Sequence, residues 1–422
     1  MYQKSKLKNG LTLITAPLKE TKAVTVLVLL PVGSRYEMPG INGASHFIEH
    51  LMFKGTKRRP TSLDITKELD SVGAEFNAFT SKDHTGYYIK AAADEIELAF
   101  DILSDMIFNS VFDPKEITKE KGVIIEEINM YEDNPLLYLG ALFEETVFGN
   151  HPLGWLISGP KKVIRNISRE KILNYKNKFY QSKNIVLTVS GNFKQNQVKK
   201  LAIKYFSNNS AEKSKPNFTK VKIKQTRPKV NLLYKPTEQV QLGLGFPACS
   251  LSDPKMYPLY LLAVILGGNM SSRLFTSVRE KYGLAYYIKT DLSAYQDIGT
   301  LLIQAGLDKK RIKEAISLIL SELKIIRDEG VTSKELESAK EFLKGKLILD
   351  LEDSESVADW FGKQELLLDK ILTPEEKIKR IFAVKINEVK KIAQEIINEK
   401  KLNLALIGPF KNKKEFLDLL KF

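Results

Sequence analysis

Apolar positions along the chain follow strand and helix periods, and their order repeats once. Residues 11–14 and 230–234 are short runs rich in Leu, Ile and Val that predict β-strands, and each opens a half that then becomes mostly helical. The stretches 184–193 and 402–410 each predict a strand that ends near a glycine, and an amphipathic helix follows both. The two halves are therefore predicted to share one build.

A second repeat supports a duplicated domain. Residues 91–128 predict a helix, a break at Asp113-Pro114 and a long helix, and residues 305–347 predict the same series with its break at 328–330. A duplicated unit of about 200 residues explains both repeats.

The order of strands and helices predicts an α+β fold of two homologous domains. Each domain would be a mainly antiparallel sheet with helices packed on one face. We place the domains at 1–210 and 229–422, because the polar and weakly periodic residues 211–228 are typical of a linker.

The longest apolar runs are too short to cross a membrane. Residues 23–32 and 257–266 fall well short of the roughly 20 residues that a transmembrane helix needs, so they predict a buried strand and a buried helix. The N-terminal segment carries lysines but no apolar stretch of the kind found in signal peptides. We therefore expect a cytoplasmic protein with no membrane partner.

Charge and cysteine content limit the partners and the metal ligands that we expect for this chain. The 422 residues include 65 Lys and Arg against 51 Asp and Glu, which gives a formal net charge of +14. Because the lysines lie among glutamates at helical spacing and no zinc finger or phosphate loop is found, we expect no nucleic-acid partner. Cys249 is the only cysteine, which excludes a disulfide framework, so a metal site would have to use histidines and carboxylates.

Two of the four histidines fall in one short motif, His46-Phe47-Ile48-Glu49-His50. At about 100° per residue, His46, Glu49 and His50 lie within one helical sector about 100° wide. Two imidazoles four residues apart can share a metal ion, and Glu49 is placed to hydrogen-bond a metal-bound water rather than to ligate. This order is the inverse of the zincin motif. The alternative is a pair of solvated or core histidines that happen to share a helical turn.

A catalytic zinc site needs a third protein ligand and an open position for water. In a helical projection of residues 120–128, Glu120 and Glu127 lie on the apolar stripe, whereas Glu126 lies off it. A carboxylate on a buried stripe is costly unless it is paired or binds a metal. We therefore predict Glu127 as the third ligand and Glu120 as a group that orients a histidine. The alternative is a salt-bridged helix without metal.

Taken together, these residues resemble those of a known family. Residues 46–56, followed by Glu127, closely resemble the pitrilysin-like inverzincin metallopeptidases, and most of all the prokaryotic relatives of the mitochondrial processing peptidase beta subunit. One departure is Trp155-Leu156, where relatives often carry Arg-Pro, which bears on local substrate preference alone. The resemblance covers almost the whole chain and includes residues 9–11, 76–81, 120–133, 151–154, 267–275 and 278–286.

The resemblance implies a zinc metalloendopeptidase in which His46, His50 and Glu127 hold the metal and Glu49 is the general base. It implies one Zn²⁺ per chain, because the corresponding region of the second half, 261–265, is apolar. It also implies that Arg279 and Tyr286 reach the active site from the second domain. Without the family, an Arg and a Tyr after a glycine-rich turn would be a weak signal.

For the substrate, the resemblance implies a peptide or unfolded polypeptide that adds to a sheet edge at Asn77, Ala78 and Phe79. Residues 74–81 alternate like a strand, and an ordinary internal strand is the alternative. Because one chain carries both the metal ligands and the Arg/Tyr pair, we expect a homodimer that forms a closed chamber, with a heterodimer as the alternative. The competing function is a non-catalytic scaffold subunit of the same fold.

Overall fold

Two sheets organise the part of the chain that the computed structural model describes, which comprises residues 2–207, 216–368 and 370–421. Of the predicted linker 211–228, residues 211–215 lie outside the described residues, and residues 216–228 form neither helix nor strand. Contacts divide the chain into a first unit of Met1–Ile128, Leu156–Thr219 and Ile348–Thr373, and a second unit of Asn129–Trp155, Lys220–Leu347 and Pro374–Phe422.

The first unit contains a six-stranded sheet. Its strands are β1 (Gln3–Lys6), β2 (Thr12–Pro17), β3 (Ala23–Leu30), β4 (Glu75–Thr80), β5 (Thr85–Ala92) and β6 (Val186–Gly191). Their order across the sheet is β1-β2-β6-β3-β5-β4, and every neighbouring pair is antiparallel except β2 with β6. Strand β4 is therefore an outermost strand.

The second unit contains a five-stranded sheet of the same topology. Its strands are β7 (Lys229–Tyr234), β8 (Gln239–Ala248), β9 (Ala285–Ala294), β10 (Gly299–Asp308) and β11 (Asn403–Gly408). The order β7-β11-β8-β10-β9 repeats β2-β6-β3-β5-β4, and the one parallel pair, β7 with β11, falls at the same place. The predicted α+β fold with two related, mainly antiparallel sheets is confirmed.

Fifteen α-helices surround these sheets among the described residues. The turns after α9 and before β9, Val264–Gly268 and Phe275–Lys281, are π-helical. The helices are α1 (Ala44–Met52), α2 (Ser62–Asp70), α3 (Ile96–Asn109), α4 (Pro114–Asp133), α5 (Pro135–Phe148), α6 (Lys161–Asn166), α7 (Arg169–Phe179), α8 (Gln195–Phe206), α9 (Met256–Ala263), α10 (Ile312–Asp328), α11 (Ser333–Asp350), α12 (Ser354–Leu367), α13 (Pro374–Ala383), α14 (Ile386–Ile396) and α15 (Lys413–Leu417).

Alternation along β3 shows how the first sheet is covered on both faces. Val26 and Val28 point into the larger core, which also contains Phe47 of α1. Leu27 and Leu29 point to the other face, where they pack with Phe361 of α12. β3 is apolar at every position except Thr25, as expected for a strand that is buried on both faces. Helix α12, which covers the face with Leu27 and Leu29, was not predicted from the sequence.

The second sheet is covered in the same way. Its larger core lies on one face, and on the other face Ala405 and Ile407 of β11 pack with Leu139 and Phe143 of α5. A Cβ at Gly245 would come within 2.0 Å of the Leu301 backbone oxygen and would also meet α5, so only glycine fits this close approach.

Helices α5 and α12 make both units discontinuous. Helix α5 comes from the first half of the sequence but lies in the second unit, and α12 comes from the second half but lies in the first unit. The units thus differ from the predicted domains 1–210 and 229–422 in the two segments that carry these helices.

The apolar runs singled out in the sequence form β3 and α9, as predicted for a buried strand and a buried helix. Among the described residues, the structure contains no helix with both the length and the apolar character that a membrane span requires.

Candidate metal centre

A carboxylate from outside the helix fixes the point where α1 starts. Gly43 precedes α1 with φ of +99°, and a Cβ there would come within 2.5 Å of the Ser158 backbone oxygen, so the turn requires glycine. The Glu37 carboxylate takes the place of a capping side chain, because it accepts the backbone N–H groups of Gly43 and Ser45, each at 2.7 Å. Burial raises the pKa of Glu37 to about 7, although these hydrogen bonds oppose the shift.

Helix α1 carries three of the predicted site residues on one side. The rings of His46 and His50 contact each other edge to face, with centroids 4.7 Å apart. His46 is 9% exposed, and its Nδ1 is buried without a hydrogen-bond partner among the described residues. This leaves Nε2 of His46 as the atom that contacts a carboxylate in the site.

Glu127 of α4 completes a set of three potential ligands. Its Oε2 lies 3.5 Å from His46 Nε2 and 3.4 Å from His50 Nε2. All three ligand atoms lie within 4.8 Å of one another. The structure therefore brings together the three residues that the helical projections selected.

Glu120 holds His50 from the opposite side of its ring. Its Oε2 lies 3.0 Å from His50 Nδ1, and its Oε1 lies 2.9 Å from Lys54 Nζ. When the neutral ring keeps its proton on Nδ1 and Nδ1–H donates a hydrogen bond to the carboxylate, Nε2 carries the lone pair, on the side of the ring that faces Glu127. Glu120 therefore occupies the position predicted for a group that orients a histidine.

Protonation equilibria in the site reflect this pairing. Burial by itself would lower the pKa of His50, but the hydrogen bonds to Glu120 and Glu127 outweigh it and raise the pKa to about 9. Hydrogen bonds from His46 and His50 lower the pKa of Glu127 to about 2. Burial would raise the pKa of Glu120, but hydrogen bonds from His50 and Lys54 lower it. The shifts of His50 and Glu127 therefore have a common cause in the imidazole–carboxylate contacts.

The donor set fits zinc. Two imidazole nitrogens and one carboxylate oxygen are the ligand types of catalytic zinc sites with three protein ligands. Bonds of about 2.0–2.1 Å in a tetrahedral arrangement place neighbouring ligand atoms about 3.3 Å apart. The separations of 3.4 and 3.5 Å from Glu127 to the two histidines are close to this value.

Glu49 does not belong to this ligand set. Its Oε2 accepts a hydrogen bond of 2.5 Å from the Thr80 hydroxyl at the end of β4. Its Oε1 has no hydrogen-bond partner among the described residues. A carboxylate beside the ligands with one free oxygen can accept a proton from a water molecule.

The residues predicted to bind substrate lie on β4. This strand pairs with β5 and with no other strand of the described chain, so its second edge is open within the sheet. Asn77, Ala78 and Phe79 are all on it, and the Ala78 N–H donates to the Asn77 side chain at 2.8 Å. The predicted strand is therefore an edge strand.

Arg279 and Tyr286 lie next to each other in the second unit. The Arg279 guanidinium carbon is 4.7 Å from the centroid of the Phe275 ring and 5.9 Å from that of Tyr286. Tyr286 is 75% exposed, which is unusual for a large aromatic side chain. The three candidate metal ligands, in contrast, all belong to the first unit.

Sequence reasoning missed three residues of the site: Glu37, Lys54 and Thr80. Lys54 follows His50 by four residues and lies just beyond the end of α1, so its closeness in the sequence gave a usable signal. Thr80 has the same strand parity as Ala78 and so faces α1, which the alternation of β4 could have indicated. Glu37 gave no signal, because it precedes α1 outside any helical register.

Two family models match this chain. Residues 13–161, which include the ligands, match the model described as insulinase (peptidase family M16). Residues 166–343 match the model described as the peptidase M16 inactive domain.

Two bacterial proteins are similar to the chain over nearly its whole length. A protein of Bacillus subtilis (strain 168) named "uncharacterized zinc protease YmxG" is 36% identical over 417 residues, which cover 98% of this chain and 99% of that protein. A protein of Streptomyces coelicolor named "uncharacterized zinc protease SCO5738" is 32% identical over 416 residues, which cover 97% and 90%.

Solved structures match the fold. A protease from Helicobacter pylori aligns with a TM-score of 0.90 and 25% identity, covering 97% of this chain and 99% of that chain. A peptidase M16 inactive domain from Pseudomonas fluorescens also aligns with a TM-score of 0.90, at 18% identity, covering 97% and 98%.

Proposed function

This chain belongs to peptidase family M16, and on that premise we propose that it is a zinc-dependent endopeptidase that hydrolyses short or unfolded polypeptides. The observation that carries the proposal is the convergence of His46, His50 and Glu127, whose ligand atoms lie within 4.8 Å of one another. The names of the relatives, which call them zinc proteases, support the same metal.

His46, His50 and Glu127 would hold one zinc ion per chain. When bound, zinc supplies Lewis acidity, which polarises a carbonyl group and makes a water molecule more acidic. The protein contributes the orientation of the ligands, because Glu120 fixes the His50 ring through Nδ1.

Glu49 is the proposed general base. Its free Oε1 would take a proton from the attacking water, and the same carboxylate would return that proton to the leaving amine. The carboxylate lies one residue before a ligand but is turned toward Thr80, so base and ligand roles are separated along one helical turn.

The open edge of β4 is the proposed site for the substrate backbone. An extended peptide that adds to a sheet edge is recognised mainly through main-chain hydrogen bonds. Asn77, Ala78 and Phe79 would provide this edge, and such recognition favours short or unfolded polypeptides over folded proteins. Processing of peptide segments, as the resemblance to processing peptidases implies, belongs to this proposal.

Arg279 and Tyr286 are the proposed donors to the negative charge that develops on the substrate carbonyl oxygen. A phenol hydroxyl and a guanidinium are both able to stabilise such an oxyanion. The exposure of Tyr286 supports a role in which its hydroxyl meets a ligand rather than the core of its own unit.

We also propose that the chain acts as a homodimer, because a single chain carries both the metal ligands and the Arg/Tyr pair. The mass in solution, measured by light scattering during gel filtration, tests this. A mass of twice 47.9 kDa is the expected result.

A non-catalytic scaffold of the same fold is the second candidate. The match of residues 166–343 to the inactive-domain model favours it. The complete ligand set in the first unit favours catalysis.

A hydrolysis assay separates the two candidate functions. The protein is incubated with a mixture of unstructured peptides of about 10 to 30 residues, with and without a chelator, and its zinc content is measured alongside. Zinc near one per chain and chelator-sensitive internal cleavage are the expected results. Glu49→Gln should retain zinc and lose turnover, whereas the exposed neighbour Glu126→Gln should retain both. Folded wild-type protein with bound zinc and no cleavage of any peptide would favour the scaffold.

A further inference from the structure

The hydrogen bond between Thr80 and Glu49 joins two elements with different proposed tasks. Thr80 is the last residue of β4, the strand proposed to bind the peptide, and Glu49 is the proposed base on α1. The Thr80 hydroxyl donates to Glu49 Oε2 at 2.5 Å, a distance at the short end of the range for a hydroxyl–carboxylate hydrogen bond.

Backbone pairing fixes the donor in place. Thr80 is aligned with Thr85 in the β4–β5 ladder, and just beyond it the turn is held by hydrogen bonds from Ser34 N–H to the Ser81 oxygen and from Arg35 N–H to the Lys82 oxygen. The β-branched side chain of threonine also has few rotamers in a strand. The hydroxyl is therefore a rigid anchor for a carboxylate that would otherwise rotate.

The anchor acts on one oxygen and leaves the other free. Oε2 of Glu49 is held by Thr80, and Oε1 has no partner among the described residues. An ionised carboxylate only accepts hydrogen bonds, so the donor has to come from outside, and Thr80 supplies it. The contact thereby selects which oxygen is available for a proton.

We propose that Thr80 is a positioning residue for Glu49, which rests on the peptidase function proposed above. Thr80 orients the base and ties it to the strand along which the peptide adds, so that the base keeps a constant position relative to the bound backbone. Among the described residues, its hydroxyl hydrogen-bonds to none of the three proposed ligands. Loss of the hydroxyl should therefore slow turnover while zinc binding is kept.

The contacts of Lys54 and Glu120 with His50 provide a comparison that separates effects on zinc binding from effects on turnover. Lys54 and Glu120 act on the ligand His50, so their loss should affect the metal. Thr80 acts on the base alone, so its loss should affect the chemical step alone.

The test compares Thr80→Val, which keeps the shape and removes the hydroxyl, with Thr80→Ser, which keeps the hydroxyl. Thr66→Val makes the same chemical change on α2, where the Thr66 hydroxyl bonds only to backbone oxygens of its own helix. For each protein, kcat and KM on one unstructured peptide are measured together with the zinc dissociation constant by chelator competition. A crystal structure of metal-free Thr80→Val reports the Glu49 conformation.

Thr80→Val should lower kcat by about 10- to 100-fold, because a misplaced catalytic group costs a factor of this size, while KM and the zinc dissociation constant stay within about twofold. Thr80→Ser should recover most of the loss, and Thr66→Val should match the wild type. In the metal-free Thr80→Val crystal, the Glu49 carboxylate should leave its wild-type orientation.

Three results would overturn the inference: a wild-type kcat for Thr80→Val, an equal loss for Thr80→Ser, or a loss of zinc in parallel with kcat. In each of these the wild type still cleaves peptide, so the proposed function stands. A zinc-loaded wild type that cleaves no peptide would instead remove the proposed function, and the inference with it.

Discussion

Lys54 Nζ lies 2.9 Å from Glu120 Oε1, on the carboxylate whose other oxygen lies 3.0 Å from His50 Nδ1. The ammonium of Lys54 favours the ionised form of Glu120, and the ionised form is the one that orients the imidazole. Contacts therefore connect Lys54, just beyond the end of α1, through Glu120 to His50, one of the proposed zinc ligands.

Lys54→Met should raise the zinc dissociation constant by about tenfold, in the range seen when outer partners of metal ligands are removed. Methionine keeps the length of the side chain and removes its charge. Competition with a chromogenic chelator gives the constant, and Lys67→Met on the exposed side of α2 is the control. Equal affinities for the two variants would contradict a role for Lys54 at the metal.

Glu127→Ala should lose stoichiometric zinc, whereas Glu126→Ala should keep it. The two residues are adjacent on α4, but Glu127 is partly buried against the histidines and Glu126 is exposed. Zinc content after gel filtration, measured by plasma emission, compares them directly. If Glu127→Ala retained one zinc per chain, another residue would have to be the third ligand.

The metal-free protein should lose stability as the pH rises above about 6.5. His50 has a pKa of about 9 in the folded protein against an ordinary value of 6.5, so its contribution is complete below 6.5 and disappears as the pH rises through 9. Glu127 has a folded pKa of about 2 against 4.5, so its contribution is complete above 4.5 and is lost as the pH falls through 2.

Thermal unfolding of chelator-treated protein between pH 5 and pH 9 tests this, with the expected decline of a few degrees in Tm on the alkaline side. Glu127→Gln removes one of the two carboxylates that raise the pKa of His50, so the decline should become smaller while the contribution of Glu120 remains. A decline of the same size in wild type and Glu127→Gln would show that Glu127 does not raise the pKa of His50 in solution.

Glu37→Gln should destabilise the protein by about 2–4 kcal/mol, because an amide cannot accept the N–H groups of both Gly43 and Ser45 with its two ends. Denaturation with urea measures the change in the free energy of unfolding. Glu20→Gln at an exposed position is the matched control and should change it by less than about 0.5 kcal/mol. Equal stability of both variants would show that Glu37 does not cap α1 in solution.

Gly245→Ala should destabilise the protein strongly, because the new Cβ would come within 2.0 Å of the Leu301 backbone oxygen and within 2.9 Å of the Phe143 ring, so the backbone would have to shift. Gly140→Ala, on α5, meets nothing within 4 Å and should be neutral or stabilising by up to about 1 kcal/mol. The midpoints of urea denaturation compare the two substitutions. Similar midpoints would mean that β8 can shift away from Leu301.

Features that lie within one helix or strand could be predicted from the local periodicity of the sequence. The helical projections placed His46, Glu49 and His50 on one side of α1, and they selected Glu127 over Glu126 on α4, as the structure has them. The duplicated order of strands was also visible, because each sheet is built from a similar run of local segments.

Features that depend on contacts between distant segments could not be predicted from local periodicity. The apolar character of α5 and α12 indicates burial but does not tell which sheet each helix covers. Glu37 reaches α1 from a separate turn, so no period connects them. The alternation of β4 tells that Thr80 shares a face with Ala78, but no local pattern of the sequence specifies that Glu49 of α1 lies against that face.

The assignment of α12 to the first unit has a consequence for the order of events during synthesis. The apolar face formed by Leu27 and Leu29 is covered by residues near position 361, so it stays uncovered until most of the chain has left the ribosome. The first sheet, although its strands are made early, can therefore complete its packing only late. During this interval the nascent chain exposes an apolar surface. The yield of folded protein in a cell should therefore depend on chaperones that shield this surface until α12 has been synthesised.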